Sequence, residues 1–181
     1  MSNINLSFPG EIVTRESLDR EQKDTYDLIV VASDQGMPPR SSLVTVKVTV
    51  LDVNDNAPEI VNPREEDINV REGQPPGTEV VRVKAVDADN GNNSTITYSV
   101  VRNRLSDSNG VFSIDPATGI VTTQVVLDHQ EKTTYSLTVT ATDGGNPPKQ
   151  STRTFRVEVL NLDDNKLAFT NSSSVFRVSF L

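Results

Sequence analysis

The sequence predicts an all-β chain built from antiparallel β-sandwiches of about seven strands. Three observations predict it. The composition is β-rich, with 25 Val and 18 Thr among 181 residues. Apolar residues recur with period 2 in several short runs, and no stretch shows a convincing 3.6 period. Clusters of Gly, Pro, Asn and Asp separate those runs, as turns between short strands require.

The elements follow in order. Val44, Val46, Val48 and Val50 alternate with polar neighbours, which makes 44–50 a half-buried strand. The cluster "GQPPG" at 73–77 ends one segment, and Val81, Val83 and Ala85 form the next row. "DNGNN" at 89–93 is a turn, followed by the row Ile96, Tyr98 and Val100. "DPATG" at 115–119 is another turn. Tyr135, Leu137, Val139 and Ala141 give a long inward row, which "DGGNPP" at 143–148 closes. Phe155, Val157 and Val159 complete the pattern.

An internal repeat organises these elements. "YDLIVVASDQGMPP" at 26–39 aligns without gaps on "YSLTVTATDGGNPP" at 135–148. Tyr26, Asp34 and Pro39 recur as Tyr135, Asp143 and Pro148, a constant shift of 109 positions. The same shift carries Gly10 onto Gly119, Leu18 and Asp19 onto Leu127 and Asp128, and "DVNDN" (52–56) onto "NLDDN" (161–165). A unit of this size is a domain rather than a solenoid repeat. The expected division is a complete unit at 57–165, the second half of a unit at 1–56 and the start of a third at 166–181.

Composition excludes several chemistries. There are 25 Asp+Glu against 17 Lys+Arg, a net charge of −8, which argues against a nucleic-acid partner and suits cations. The chain has no Cys, so thiol nucleophiles, zinc-thiolate sites and disulfides are excluded. Its one His, His129, cannot build a two-His metal site, and it reads as a loop residue. The apolar runs are too short to cross a membrane, and the N-terminus lacks the regions of a secretory signal. A secreted or membrane-bound parent is therefore expected to extend beyond this chain. Tripeptides of the form N-x-S/T occur at Asn5, Asn92, Asn93 and Asn171.

The carboxylates sit at strand ends and in the linker. The first carboxylates of "LDRE" (18–21), "DVNDNAP" (52–58) and "DAD" (87–89) each follow an apolar residue, and "ATD" (141–143) ends an apolar row. Taken singly, "ATD" reads as a strand-to-turn Asx cap, "LDRE" as a turn cap and "DVNDN" as a polar linker. Taken together they offer the hard oxygen donors that calcium needs, and carboxylates gathered at one joint repel unless a cation neutralises them. A helix-loop-helix calcium loop is excluded, because the twelfth position from Asp87 is Tyr98 rather than Glu. Asp107 lies in a loop outside these motifs.

These motifs, with "VREGQPPGT", "AVDADNGNN" and "FSIDPATGIVTT", resemble the cadherin family over nearly the whole chain. The resemblance implies Greek-key sandwich repeats with three calcium ions at each junction. It places ligands at the first junction on Asp19 and Glu21, the Val53 carbonyl, Asn54, Asp55 and the Asn56 carbonyl. The unit that follows supplies Asp87, Asp89, the Asn93 carbonyl and Asp143, with Asp55 and Asp89 bridging ions. At the second junction it implies Glu72, Asp128, Gln130, Asp163, Asp164 and Asn165. That set is degenerate: Gln130 stands where Glu is expected, and Asp163 where Asn is. The implied function is calcium-dependent cell–cell adhesion, on the extracellular side of the cell membrane, with a like or related cadherin on the opposing cell as partner. No enzymatic activity is expected.

Rival readings have less support. A carboxylate-pair glycosidase needs groups flanking a cleft, whereas Asp87 and Asp89 sit side by side on one chain segment. An immunoglobulin-type sandwich lacks its Cys-Trp-Cys marks. A cadherin-like or carbohydrate-binding module without an adhesion role is the alternative that stays open.

Overall fold

The computed structural model describes residues 4–7, 10–102 and 107–162. Its strands are β1 (Ile4–Ser7), β2 (Glu11–Thr14), β3 (Thr25–Ser33), β4 (Ser41–Thr49), β5 (Glu59–Asn62), β6 (Asp67–Arg71) and β7 (Glu79–Arg82). They continue as β8 (Lys84–Val86), β9 (Thr97–Val100), β10 (Phe112–Ile114), β11 (Ile120–Thr123), β12 (Thr134–Thr142) and β13 (Gln150–Leu160). A 3-10 turn spans Gly91–Ser94.

The core follows from the period-2 rows. In β12 and β13 the register sets Leu137 opposite Phe155 and Tyr135 opposite Val157. Leu137, Val139, Ala141, Phe155 and Val157 are all fully buried. They pack against Ala85 of β8, Phe112 of β10, Val121 of β11 and Val83 between β7 and β8. Tyr98 enters this core because its hydroxyl accepts the Ala85 N–H at 2.8 Å, which satisfies the polar end of the ring. Phe112 and Tyr135 meet edge to face at 5.5 Å. One sheet has the order β6-β13-β12-β9 and another β10-β11-β7, with β5 and β8 paired separately. This is the expected Greek-key sandwich.

Nine segments make up the seven expected strands. The first strand is split at Pro63, which has no N–H to donate, and its halves take different partners: β5 pairs with β8 and β6 with β13. The second is split at Val83, with β7 pairing to β11 and β8 to β5. The pairing of β6 with β13 is parallel, an exception to the antiparallel rule expected from the sequence. Asp107 is also no bystander. Its carboxylate accepts from Lys132 Nζ at 2.7 Å and from the Ser136 N–H at 3.1 Å, tying its loop to β12.

The repeat is visible in the backbone. β3 and β12 coincide under the 109-residue shift. So do the bonds from the Val50 N–H to the Asp24 carbonyl and from the Val159 N–H to the Thr133 carbonyl, both 2.8 Å. Lys23 lies 4.3 Å from the Tyr26 ring and Lys132 lies 4.6 Å from the Tyr135 ring. Burial, however, differs between the copies. β3 and β4 form a two-stranded sheet that leaves Ile29 and Leu43 each 71% exposed. Val44 is exposed and Val46, Val48 and Val50 are half-buried.

Candidate metal centre

Four segments converge between the β3–β4 hairpin and the sandwich. The first is the turn 18–23, closed by Asp19, whose Oδ1 accepts the Gln22 N–H at 3.1 Å and whose backbone carbonyl accepts the Lys23 N–H at 3.0 Å. The second is the linker 50–58. The third is the loop after β8, and the fourth is the turn after β12. Glu21, Asp52 and Asp89, one from each of the first three, bring carboxylate oxygens within 4.8 Å of one another. Of these, Asp52 escaped the sequence reading, although it is the first residue of "DVNDN". The available signal was its place in the same motif.

The other expected residues are arranged around this group. Asp89 is buried and accepts from Asn56 Nδ2 at 2.7 Å and from the Asn56 N–H at 3.3 Å. Asn56 Nδ2 also reaches Asp55 Oδ1 at 2.8 Å. Thus the two carboxylates expected to bridge ions share one amide. Asn93 donates its side-chain amide to Asp52 Oδ2 at 2.8 Å. The Val53 carbonyl accepts the Asp55 N–H at 2.7 Å.

Three oxygens are left over. Asp87 Oδ1 accepts the Asp89 N–H at 2.9 Å, while Asp87 Oδ2 is buried without a partner. Asp143 Oδ1 accepts the N–H groups of Gly145 (3.0 Å) and Lys149 (2.9 Å), while its Oδ2 is buried without a partner. Asn54 donates to the Pro147 carbonyl at 2.8 Å, while its Oδ1 is likewise orphaned. Buried oxygens without donors are costly, about 1–3 kcal/mol each, and are rare in native proteins. An all-oxygen set with three such atoms fits a hard cation. Gly145 makes room for the Asn54 amide, which a Cβ there would overlap.

Electrostatics favour the charged forms of Asp52, Asp143 and Asp19. Burial works against the charge of Asp52, yet hydrogen bonds from Asn93 and Asn90 and the Arg20 guanidinium outweigh it and lower its pKa. Burial also opposes the charge of Asp143, and the Lys149 and Gly145 N–H groups with the Asn54 amide again lower the pKa. Asp19 is lowered chiefly by the Gln22 N–H.

At the second junction, Glu72 accepts the His129 N–H at 2.8 Å and the Leu162 N–H at 2.7 Å. Asp128 caps the Gln130 N–H at 2.7 Å. Glu72 therefore stands between the "LDHQ" turn and the linker. Asp163, Asp164 and Asn165 lie outside the described residues.

A β-sandwich preceded by a hairpin of the same sequence repeat, with carboxylates gathered where the two meet, defines a class of repeat protein. The cadherin-domain family profile matches residues 7–51 and 66–160. Protein dachsous of Drosophila melanogaster is 59% identical over 97% of this chain, which spans 5% of that protein's length. Human protocadherin Fat 4 is 36% identical over 93% of this chain, which spans 3% of that protein. The structure of a protocadherin gammaB7 EC3-6 cis-dimer aligns with a TM-score of 0.83 and 32% identity, over 96% of this chain and 42% of that one. Mouse cadherin-23 EC22-24 aligns at 0.77 and 38%, over 88% of this chain and 50% of that one. The chain belongs to the cadherin family.

Proposed function

We propose that this chain is a segment of a cadherin ectodomain that acts in calcium-dependent adhesion between cells, its junction stiffened by bound calcium. The observation that supports this best is the set of orphaned oxygens on Asn54, Asp87 and Asp143, beside the carboxylates of Glu21, Asp52 and Asp89. Asp19, Asp55 and the carbonyls of Val53, Asn56 and Asn93 complete the donor set that would hold the metal. The ion supplies the positive charge that lets these groups lie together. The chain supplies donors from both sides of the linker, so ion binding stabilises the ordered joint by linkage.

In this reading 57–165 is a complete repeat, 1–56 the latter half of one and 166–181 the start of another. The second junction, with Glu72, Asp128, Gln130, Asp163, Asp164 and Asn165, binds calcium more weakly. The partner is a like or related cadherin on the opposing cell, and the work of the chain is binding rather than catalysis. The structural relative described as a cis-dimer supports association between cadherins.

Thermal unfolding in about 2 mM calcium against chelator tests the reading, since extracellular modules bind calcium in roughly the 0.1–1 mM range. The midpoint rises with calcium, and Asp89→Ala removes most of the rise. Asp107→Ala lowers both midpoints and keeps their difference. A wild-type midpoint indifferent to calcium overturns the proposal.

A further inference from the structure

Arg20 stands where the segments of the first junction meet. Its Nη2 lies 2.5 Å from Glu21 Oε1 and donates to the Ala88 carbonyl at 2.8 Å. Its Nε lies 2.5 Å from Asp52 Oδ1. Glu21 belongs to the turn of the first unit, Asp52 to the linker and Ala88 to the "DAD" loop of the sandwich. One side chain therefore ties together the segments that a metal ion would crosslink. The side chains of Arg20 and Asp52 are only 17% and 19% exposed, so solvent screens their attraction less than it would on open surface. Two of the three clustered carboxylates are already engaged by this guanidinium.

The internal repeat supplies an independent observation. Under the 109-residue shift, His129 replaces Arg20, Gln130 replaces Glu21 and Asn161 replaces Asp52. All three members of the ion-paired group change together. Some neighbours recur, Asp19, Lys23 and Tyr26 as Asp128, Lys132 and Tyr135, while Gln22, Asp24 and Asn54 change to Glu131, Thr133 and Asp163. The second copy thus has neither the guanidinium nor either of its two carboxylates.

We infer that Arg20 is a built-in counter-ion of the first junction, holding Glu21, Asp52 and the Ala88 carbonyl together without metal and yielding both carboxylates when a divalent cation binds. The displacement half of this inference rests on the calcium reading above. The bracing half does not. Arg20 thus weakens calcium binding, because it competes for the same oxygens and repels the ion, while it keeps the metal-free joint in register.

The test uses the 181-residue chain with Arg20→Gln, which removes the charge, and Arg20→Lys, which keeps it. Calcium chloride is titrated calorimetrically, and amide hydrogen exchange over 52–56 is followed in EDTA. Arg20→Gln binds calcium about tenfold tighter than wild type at low salt, a gap that narrows as salt is raised. Its linker amides exchange faster in EDTA. Arg20→Lys stays within about twofold of wild-type affinity, because the charge is retained. Equal or weaker calcium binding by Arg20→Gln, or tightening by Arg20→Lys to the same degree, overturns the displacement. Unchanged linker exchange overturns the brace. If wild type takes up no calcium, the metal reading fails along with the displacement, and the exchange comparison in EDTA still decides the brace.

Discussion

One carboxylate oxygen of Asp143 closes the turn after β12, and the other lies buried without a donor. Asp34 closes its own turn in the same way, accepting the N–H groups of Gly36 at 3.0 Å and Arg40 at 2.8 Å. The two readings of "ATD" as turn cap and as ligand are therefore compatible at a single residue. Substitution separates them. Asp143→Asn retains an acceptor for the turn, so in chelator it unfolds within about 1 kcal/mol of wild type, yet it loses much of the calcium-dependent rise. Asp143→Ala loses the turn as well and costs about 2–3 kcal/mol even in chelator. Thermal melts in both buffers distinguish the pair. Acid should do the same. The folded pKa of Asp143 lies below the usual aspartate value of 3.8, so its contribution is complete above that pH and is lost as pH falls through the folded value. In chelator, the midpoint of wild type drops more steeply below pH 3.8 than that of Asp143→Asn.

Turns and strand rows were the most legible elements, because each is dictated by local chemistry. "DPATG" folds as the sequence suggests: Asp115 Oδ1 accepts the N–H groups of Ala117 and Thr118, and Gly119 follows at φ 69°. Gly119 also lies against the Val83 carbonyl, where a Cβ would overlap the oxygen. Gly77 has φ 91° and nothing within 4 Å of a Cβ. Gly77→Ala therefore costs only the backbone strain, about 1–2 kcal/mol, whereas Gly119→Ala costs that and a displaced strand, about 3 kcal/mol or more. Denaturant unfolding of the two variants measures the difference. What the sequence left hidden depends on partners distant along the chain. The splitting of the first strand between β8 and β13 is one case. The roles of Asp52 and Arg20 are another, because their partners across the junction lie between 32 and 68 positions away along the chain.

Burial is uneven across the molecule. The fully buried rows of β12 and β13 contrast with the hairpin of β3 and β4, whose Ile29, Val31, Leu43 and Val44 are exposed. Amides of β3 and β4 are expected to exchange at least about a hundredfold faster than those of β12. Ile29→Lys with Leu43→Lys lowers self-association of the chain without shifting the melt of the sandwich. Equal protection of the two hairpins in a proven monomer would contradict this.

The parallel pairing of β6 with β13 bears on a load applied along the chain. It runs over the register from Asp67 with Arg156 to Arg71 with Leu160. The strand near the start of the sandwich thus lies beside the strand at its end, pointing the same way. Tension drawing residue 57 and residue 162 apart would pull these two strands in opposite directions along their shared axis. The ladder is then loaded in shear, its hydrogen bonds strained together rather than peeled one after another. Glu72, which grips the Leu162 N–H just beyond the ladder, bears on the same line of force.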